Sequence, residues 1–592
     1  TVTSAEDGEP LIGATIQAEG TNLGVSTDIN GQFSLSVPQS VKKLRVAYVG
    51  FEAKSVNVAP VVNVELKPVT TLDEVMVVAY GTEKKSAFTG SAAVVKSEDL
   101  EKHIVTNVAD ALVGSVAGLQ MRGSSGQPGG GQGSINIRGI ASMYASTDPL
   151  VIVDGSPYTA TLSNIPQEDI ESVSVLKDAA SAALYGARGA AGVIIITTKK
   201  GQSEQAKVSV DMRWGANTRA LQEYDVITDP GQYYEAYYTQ MYNRNVNGLG
   251  MTPAEANVKA NSDMLKNLAY NIYDVPVGQL LIGMNGKLNP YAQKGRFYEY
   301  MGEKYYLTND SWTDEAYRTG LRQEYNVSVN GSVNKLSYYT SASYLNEEGI
   351  IDKSNYKRFA ARFKGDYQAK DWLKVGVNVG YVNSKSSLNP NLGTASNSTN
   401  MMYFTSMIAP IFPLYVRVAD EAGNPVIRED QYGHKAYDWG VANQPIGYGG
   451  INRPFMQNAN PIGNNMYNKN SQDGNQLNGT LTVDVNITSW LKANITSNVN
   501  WCETSESDYQ NCFYGPAMGI NGSLVKKVTT GFRSNNTQTL TYSQDFGLHG
   551  VNAMIGHEYY RTRTNYLSAT AQGGFSTYIN DINSFDNKLS SE

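Results

Sequence analysis

From about residue 205 onward the chain runs in segments of roughly ten residues in which every second position is apolar, and this two-residue period is what most constrains the fold. Between Trp372 and Ser384, the residues Leu373, Val375, Val377, Val379 and Tyr381 fall on one face of a strand, with Lys374, Gly376, Asn378 and Gly380 on the other. From Lys357 to Tyr367 the apolar set is Phe359, Ala361, Phe363 and Tyr367, opposed by Arg358, Arg362, Lys364 and Asp366. No stretch approaches the roughly 20 apolar residues that a membrane-spanning helix needs. If the chain enters lipid it must do so as a β-barrel, because only helices and closed barrels satisfy every backbone polar group there. Apolar alternates then face lipid, and charged alternates face a wet lumen.

A soluble sandwich alternates as well, so loop asymmetry is the discriminator. Strands are expected near 206–217, 321–332, 335–345, 356–367, 372–384, 476–487, 490–502, 536–546 and 550–566. Short turns fall at 333–335, 369–372, 488–490 and 546–550, which puts the long segments 218–320 and 386–475 together at the opposite end. In outer-membrane barrels that end is extracellular. Trp372 and Trp490, in the matching turns D-W-L-K and S-W-L-K, suit an aromatic interface girdle, although a Trp at any strand end reads the same way.

The charge balance, 48 Lys and Arg against 55 Asp and Glu, offers no basic stripe for nucleic acid. His103, His434, His549 and His557 are scattered, and no H-E-x-x-H, G-x-S-x-G or paired-cysteine metal spacing occurs, so neither an enzyme nor a metal or cofactor site is expected. Gly123 to Gly133 matches no phosphate-binding spacing. Cys502 and Cys512 lie in a Ser/Asp/Tyr/Asn-rich stretch and could be either a loop disulfide or two free thiols.

Residues 1–67 read as a small β-sandwich, with β-rich runs at 13–18 and 43–48 and a turn at 28–31. The pattern G-E-P-L-I-G-A-T-I followed by S-T-D-I-N-G-Q-F-S-L-S-V-P resembles a carboxypeptidase-regulatory-like, transthyretin-like module, which has no catalytic machinery. Asp28, Asn30 and Gly31 lack the remaining ligands of a calcium loop. Residues 82–201 read as a compact α/β domain. Its strings I-N-I-R-G (135–139), P-L-V-I-V-D-G (149–155) and D-I-E-S-V-S-V-L-K-D-A-A-S-A-A-L-Y-G-A-R-G-A-A-G-V-I-I-I-T-T-K (169–199) closely match, in order, the plug domain of SusC-like TonB-dependent outer-membrane transporters. The matching residues include Arg138, Gly139, Asp154, Gly155, Lys177, Asp178, Tyr185, Gly186, Arg188 and Gly189. The run from Asp178 to Leu184 favours helix, and Gly186, Gly189 and Gly192 allow tight turns. Arg138 and Arg188 are read equally as plug-to-wall ion pairs or as solvated charge.

The resemblance implies a mainly β protein made of the sandwich, a TonB box at 71–81, the plug, and in 205–592 the first nine or so strands of a transmembrane antiparallel barrel. A plug of this size needs a barrel of about 22 strands, so further strands are expected beyond those present. It also implies that Asp73, Glu74, Val75, Met76, Val77, Val78, Ala79 and Tyr80 add as an edge strand to TonB, itself driven by ExbB and ExbD. The implied function is active import of nutrient oligomers, oligosaccharides ahead of oligopeptides, under a SusD-like surface lipoprotein lid and in a dimer of transporter–lipoprotein pairs. The sandwich, TonB box and short turns would be periplasmic and the long loops extracellular. The alternative is an adhesion or signalling receptor anchored by the barrel, which would need neither plug nor TonB box. The Tyr233, Tyr234, Tyr237 and Tyr238 run in the first long loop could contact sugar or peptide, but reads better as the packed face of a helix.

Overall fold

The computed structural model describes all residues except 6–7, 19–20, 22, 39–40, 49–50, 52–53, 67–74, 79–80, 85–90, 123–125, 130–132, 141–143, 145–146, 159, 179–181, 202–204, 221–224, 388–399, 430–432, 443–446, 514, 547–548, 575–580 and 592. These form two compact units: Thr1–Val94 with Ser174–Ala190, and Val95–Val173 with Ala191–Glu592.

In the first unit, strands Gly24–Ser26, Thr15–Ala18, Lys43–Ala47 and Lys54–Asn57 form an antiparallel sheet, and Val2–Ser4 pairs in parallel with Val64–Leu66. Period-two alternation buries Ile16, Ala18, Leu44 and Val46, which pack with Val2, Leu11, Val64 and Leu66 into one core. Asp28 Oδ1 accepts from the backbone N–H of Asn30 and Gln32 at 2.9 and 2.8 Å, the side-chain-closed turn that this residue type favours. Val75–Val78 forms a hairpin with Gly81–Lys84. Asp73, Glu74, Ala79 and Tyr80 lie outside the described residues. Asp178 accepts through Oδ2 from the Ser91 N–H, while the Lys177 N–H donates to Ser91 O at 3.0 Å. Of the expected helix from Asp178 to Leu184, residues 179–181 lie outside the described residues; Ala182 is helical, and a 3₁₀ segment follows at Ala183–Gly189, broken at Gly186, where φ 60°, ψ −148° admits essentially only glycine. Tyr185 is buried on this segment and Arg188 is exposed.

The second unit is dominated by ten strands: β1 (Lys207–Asn217), β2 (Gly320–Val333), β3 (Leu336–Glu348), β4 (Asn355–Lys370), β5 (Leu373–Ser387), β6 (Lys469–Asn486), β7 (Leu491–Gln510), β8 (Ser523–Phe546), β9 (His549–Gly574) and β10 (Phe585–Ser591). Each pairs antiparallel with the next, and β1 and β10 are the two edges of a sheet that does not close. The expected nine strands are therefore ten among the described residues. The sequence reading missed β10, F-D-N-K-L-S-S, because it is short, polar and paired only with the last residues of β9. It also cut β6 to β9 short. Lys469–Asp473, Glu503–Gln510 and Ser523–Thr530 continue the ladder with little apolar alternation, which leaves the two-residue signal nothing to report.

One face of the sheet exposes Phe359, Phe363, Tyr367, Val377, Val379, Leu477, Leu481, Ile495 and Val499, the surface that a lipid-facing wall requires. At the short-turn end Trp372 and Trp490 are exposed, and Trp490 meets Tyr542 edge-on with ring centroids 5.5 Å apart. The other face covers the remainder of the α/β segment: the strand Leu150–Val153, antiparallel to Ser156–Pro157 and parallel to Val193–Thr198, and the hairpin Leu119–Arg122 with Ser134–Ile137.

The long connections form a domain with its own core. Helix α1 (Pro230–Asn243) is capped by Asp229, which accepts from Gln232 N–H at 2.8 Å; helix α2 (Pro253–Leu268) carries a Thr252–Glu255 capping box. Tyr234 and Tyr238 are buried and pack with Met264, Leu268, Tyr270, Trp312, Phe404, Phe412, Trp439 and Tyr448. Tyr233 and Tyr237 are half-buried against the same core, so the tyrosine run is a packing face. At its centre Arg453 and Asp438 are fully buried, with Nη1 to Oδ2 at 3.8 Å; Tyr270 donates to the same Oδ2 at 2.9 Å.

Candidate functional site: a polar plug seat

The surface between the α/β segment and the sheet is held by charge and hydrogen bonds. Leu150–Val153 ends in a tight turn with φ 45° at Asp154 and 82° at Gly155, and this turn aims the Asp154 carboxylate at the sheet. The carboxylate takes five donors: Thr198 N (3.0 Å) and Oγ1 (2.6 Å) from the adjoining strand, then Arg362 Nη2 (2.8 Å), Lys364 Nζ (3.4 Å) and Asn378 Nδ2 (2.7 Å) from β4 and β5. Burial alone would raise this carboxyl, but Lys364, Arg362 and the Thr198 hydrogen bonds outweigh it and hold it below its ordinary value.

Around this hub the same pattern repeats. Arg358 Nη1 donates to Ser163 O at 2.7 Å, and the Tyr158 hydroxyl donates to Gln476 Oε1 at 3.1 Å. Tyr339 donates to Asp169 Oδ1 at 2.9 Å. Arg322 reaches Thr106 Oγ1 at 2.9 Å while bridging Glu324 at 3.1 Å and Glu347 at 3.3 Å. Glu168 Oε1 pairs with Arg213 Nη1 at 3.1 Å, whereas Oε2 is buried with no protein partner among the described residues. Burial, and then the negative charge of Glu324, push the Glu168 carboxyl up to about 7 against the pull of Arg358 and Arg213. A polar cavity of 360 Å³ opens here, lined among others by Glu168, Asp169, Lys199, Asp211 and Asn326.

Of the residues singled out in the sequence, Asp154 and Gly155 build the hub. Arg138 and Gly139 form an exposed turn with φ 60° and 98°. In the ion pairs that join the segment to the sheet at this hub, the wall supplies the cations and the plug answers with Asp154 and Glu168. The available signal was the charged alternates Arg358, Arg362 and Lys364 of β4. Cys502 and Cys512 are not joined to each other by a disulfide. The stretch read as a loop is strand β7, and the eight residues from Cys502 to its end at Gln510 span about 26 Å, far beyond disulfide reach.

Residues 84–193 match the family described as TonB-dependent Receptor Plug Domain, and residues 1–77 match the CarboxypepD_reg-like domain. The chain is 34% identical over 389 residues to TonB-dependent receptor SusC of Bacteroides thetaiotaomicron, covering 64% of this chain and 33% of that protein. It is 28% identical over 605 residues to TonB-dependent receptor P26 of Formosa agariphila, covering 100% of this chain and 51% of that protein. The chain thus spans about a third to a half of the length of these relatives. Among solved structures it resembles the RagAB peptide importer in its open-open state, with a TM-score of 0.64 at 22% identity over 88% of this chain and 53% of that one, a likeness of fold. The plug sequence, the carboxypeptidase-regulatory-like module and the likeness to the SusC and P26 receptors together support a SusC-like TonB-dependent transporter.

Proposed function

We propose that the chain forms the plug and part of the wall of an active importer of nutrient oligomers across the outer membrane. The observation that carries this reading is the seat: a domain fastened to a strand wall by Asp154, Glu168, Asp169 and their wall partners is fastened by bonds that water can replace. Such bonds can be exchanged for bonds to water, so mechanical work can open the lumen without unfolding a core. TonB supplies that work by adding a strand to Asp73–Tyr80, powered through ExbB and ExbD. Domains 1–67, 71–81, 82–201 and 205–592 then serve as periplasmic module, coupling segment, plug and wall. The short-turn end faces the periplasm. The loop domain faces outward, beneath a SusD-like lipoprotein lid, in a dimer of transporter–lipoprotein pairs. The cargo is an oligosaccharide, with an oligopeptide as the alternative. At 22% identity the RagAB likeness brings its fold and not its cargo.

The test is deletion of residues 71–81 from the full-length protein. Barrel assembly in the outer membrane is expected to persist while uptake of the oligomer is abolished. Uptake at the wild-type rate by an assembled deletion protein would overturn the coupling role.

A further inference from the structure

The lipid-side face of the sheet carries a cationic pair that neither the plug seat nor the loop domain uses. Register aligns Leu477, Trp501, Phe532 and Arg563 across β6 to β9, and Val499, Ser534 and Arg561 in the row two residues away. Paired residues share a face. Arg561 and Arg563 therefore project with the exposed Leu477, Val499 and Phe532, opposite the face on which Asn498 and Asn535 are buried.

Their height follows from the same ladder. Tyr542, which with Trp490 makes the aromatic pair at the short-turn end, is opposite Ala553, so Arg561 and Arg563 lie eight and ten residues further along β9. At about 3.3 Å per residue and a tilt near 40°, they stand about 20 and 25 Å above that pair, at the upper edge of an apolar band about 25 Å tall. Trp501 and Phe532 flank them where a second aromatic girdle belongs. Among the described residues neither arginine has a carboxylate partner; Arg563 Nε donates only to Asn565 Oδ1, at 3.3 Å. A surface groove of 390 Å³ is lined by Trp501, Thr530, Phe532, Arg561, Arg563 and Asn565.

We infer that this groove binds the phosphate-bearing headgroup of an outer-leaflet lipid. Two guanidiniums that have no carboxylate partner among the described residues, at the boundary between hydrocarbon and headgroups, match phosphate oxygens, which arginine takes in bidentate fashion. Asn565 and Thr530 offer hydrogen bonds beside them, and Trp501 and Phe532 offer apolar surface for the first carbons of the acyl chains. The inference rests on the reading of the sheet as a membrane wall with its long-loop end outward.

The test is native mass spectrometry of the full-length protein released from nanodiscs containing a phosphorylated lipid A, its dephosphorylated form, or neither. One phosphorylated lipid per chain is expected to stay bound through delipidation that strips the dephosphorylated form. R561Q/R563Q is expected to weaken retention about thirtyfold, at roughly 1 kcal/mol for each basic residue near an anionic surface. K492Q, at the short-turn end of β7 two strands away, should leave retention unchanged. Equal retention of the two lipids, or no loss in R561Q/R563Q, would overturn the site. Displacement by inorganic phosphate would overturn the lipid and leave a free-anion site. A protein that fails to insert into nanodiscs at all would overturn the membrane-wall reading instead.

Discussion

Replacing Asp154 with Asn tests the seat at its centre, because the change keeps the shape and removes the charge. Arg362 and Lys364, whose side chains are only 11% and 17% exposed, would lose their shared counter-ion. Removing one partner of a buried pair costs about 3–5 kcal/mol, largely through the charge left behind. Arg362 keeps Asn378 Oδ1 at 3.1 Å and Lys364 keeps Thr198 O at 3.3 Å, so the lower end, about 3 kcal/mol, applies here. That corresponds to a shift on the order of a hundredfold in the equilibrium between seated and released plug. Hydrogen exchange in the full-length protein reads this directly: amides of Leu150–Val153 and Val193–Thr198 should exchange faster in D154N while those of β6 and β7 do not change. The effect has a pH signature. The Asp154 carboxyl lies below its ordinary value when seated, so its contribution is present above the ordinary value of about 3.9 and is lost as pH falls through the seated value. Wild type and D154N should therefore converge in acid. Unchanged exchange in D154N at neutral pH, or a difference that persists in strong acid, would refute the assignment of Asp154 as the hub.

Glu168 acts in the opposite direction. With a seated value of about 7, the folded site binds more protons than an ordinary Glu between about pH 4.3 and 7, so wild-type stability relative to E168Q should fall as pH rises through that window. Thermal unfolding of both proteins at about pH 5 and pH 8 measures this, and parallel curves would disprove it. In the loop domain, R453M leaves the fully buried Asp438 carboxylate without its cation and should cost about 3–5 kcal/mol locally. Limited proteolysis should then cut within 230–317 and 401–467 while the strand wall stays resistant, and R453M/D438L should recover part of the loss. Maleimide labelling of the unreduced, denatured chain should add two groups, one at each of Cys502 and Cys512; a chain that labels only after reduction would contradict the absence of a bond between them.

What could be read from the sequence depended on whether the signal was local. Strand β4 was legible because Phe359 and Phe363 alternate with Arg358, Arg362 and Lys364, and both halves of that alternation have a use: the rings are exposed and the cations grip the plug. The upper parts of β7 and β8 were not legible, because residues such as Glu503, Ser505 and Ser507 stand on the lipid side of the ladder without being apolar. The loop domain was invisible for a different reason. Its core joins Tyr234 to Phe404 and Trp439 across long sequence separations, and no local period announces such contacts. The α1 tyrosines were the exception, since Tyr234 and Tyr238 recur at helical spacing and are the buried pair.

The ion pairs described for the seat share one polarity, with cations on the wall and carboxylates on the plug. A motif search looks for cations on the plug, because Arg138 and Arg188 stand within the matching strings. The wall, however, must keep one face apolar for lipid, so it can place charge only at alternate positions, and β4 places three cations there. The plug has no lipid face to protect and can present a carboxylate from a single turn, which Asp154 does at a positive φ and Glu168 does from the short segment before the next strand. The asymmetry gives the two carboxyls opposite responses to protons: one is held down by two cations, and the other is raised by burial and a neighbouring acid. As pH falls from 7 toward 5 proton uptake by Glu168 favours the seated state while the Asp154 contact is unaffected, so on the proposed function mild acid should make the plug harder to withdraw. The force needed to extract it through Val75–Val78, measured on single molecules at the two pH values, decides this: an extraction force that falls in acid would mean that neither carboxyl governs release.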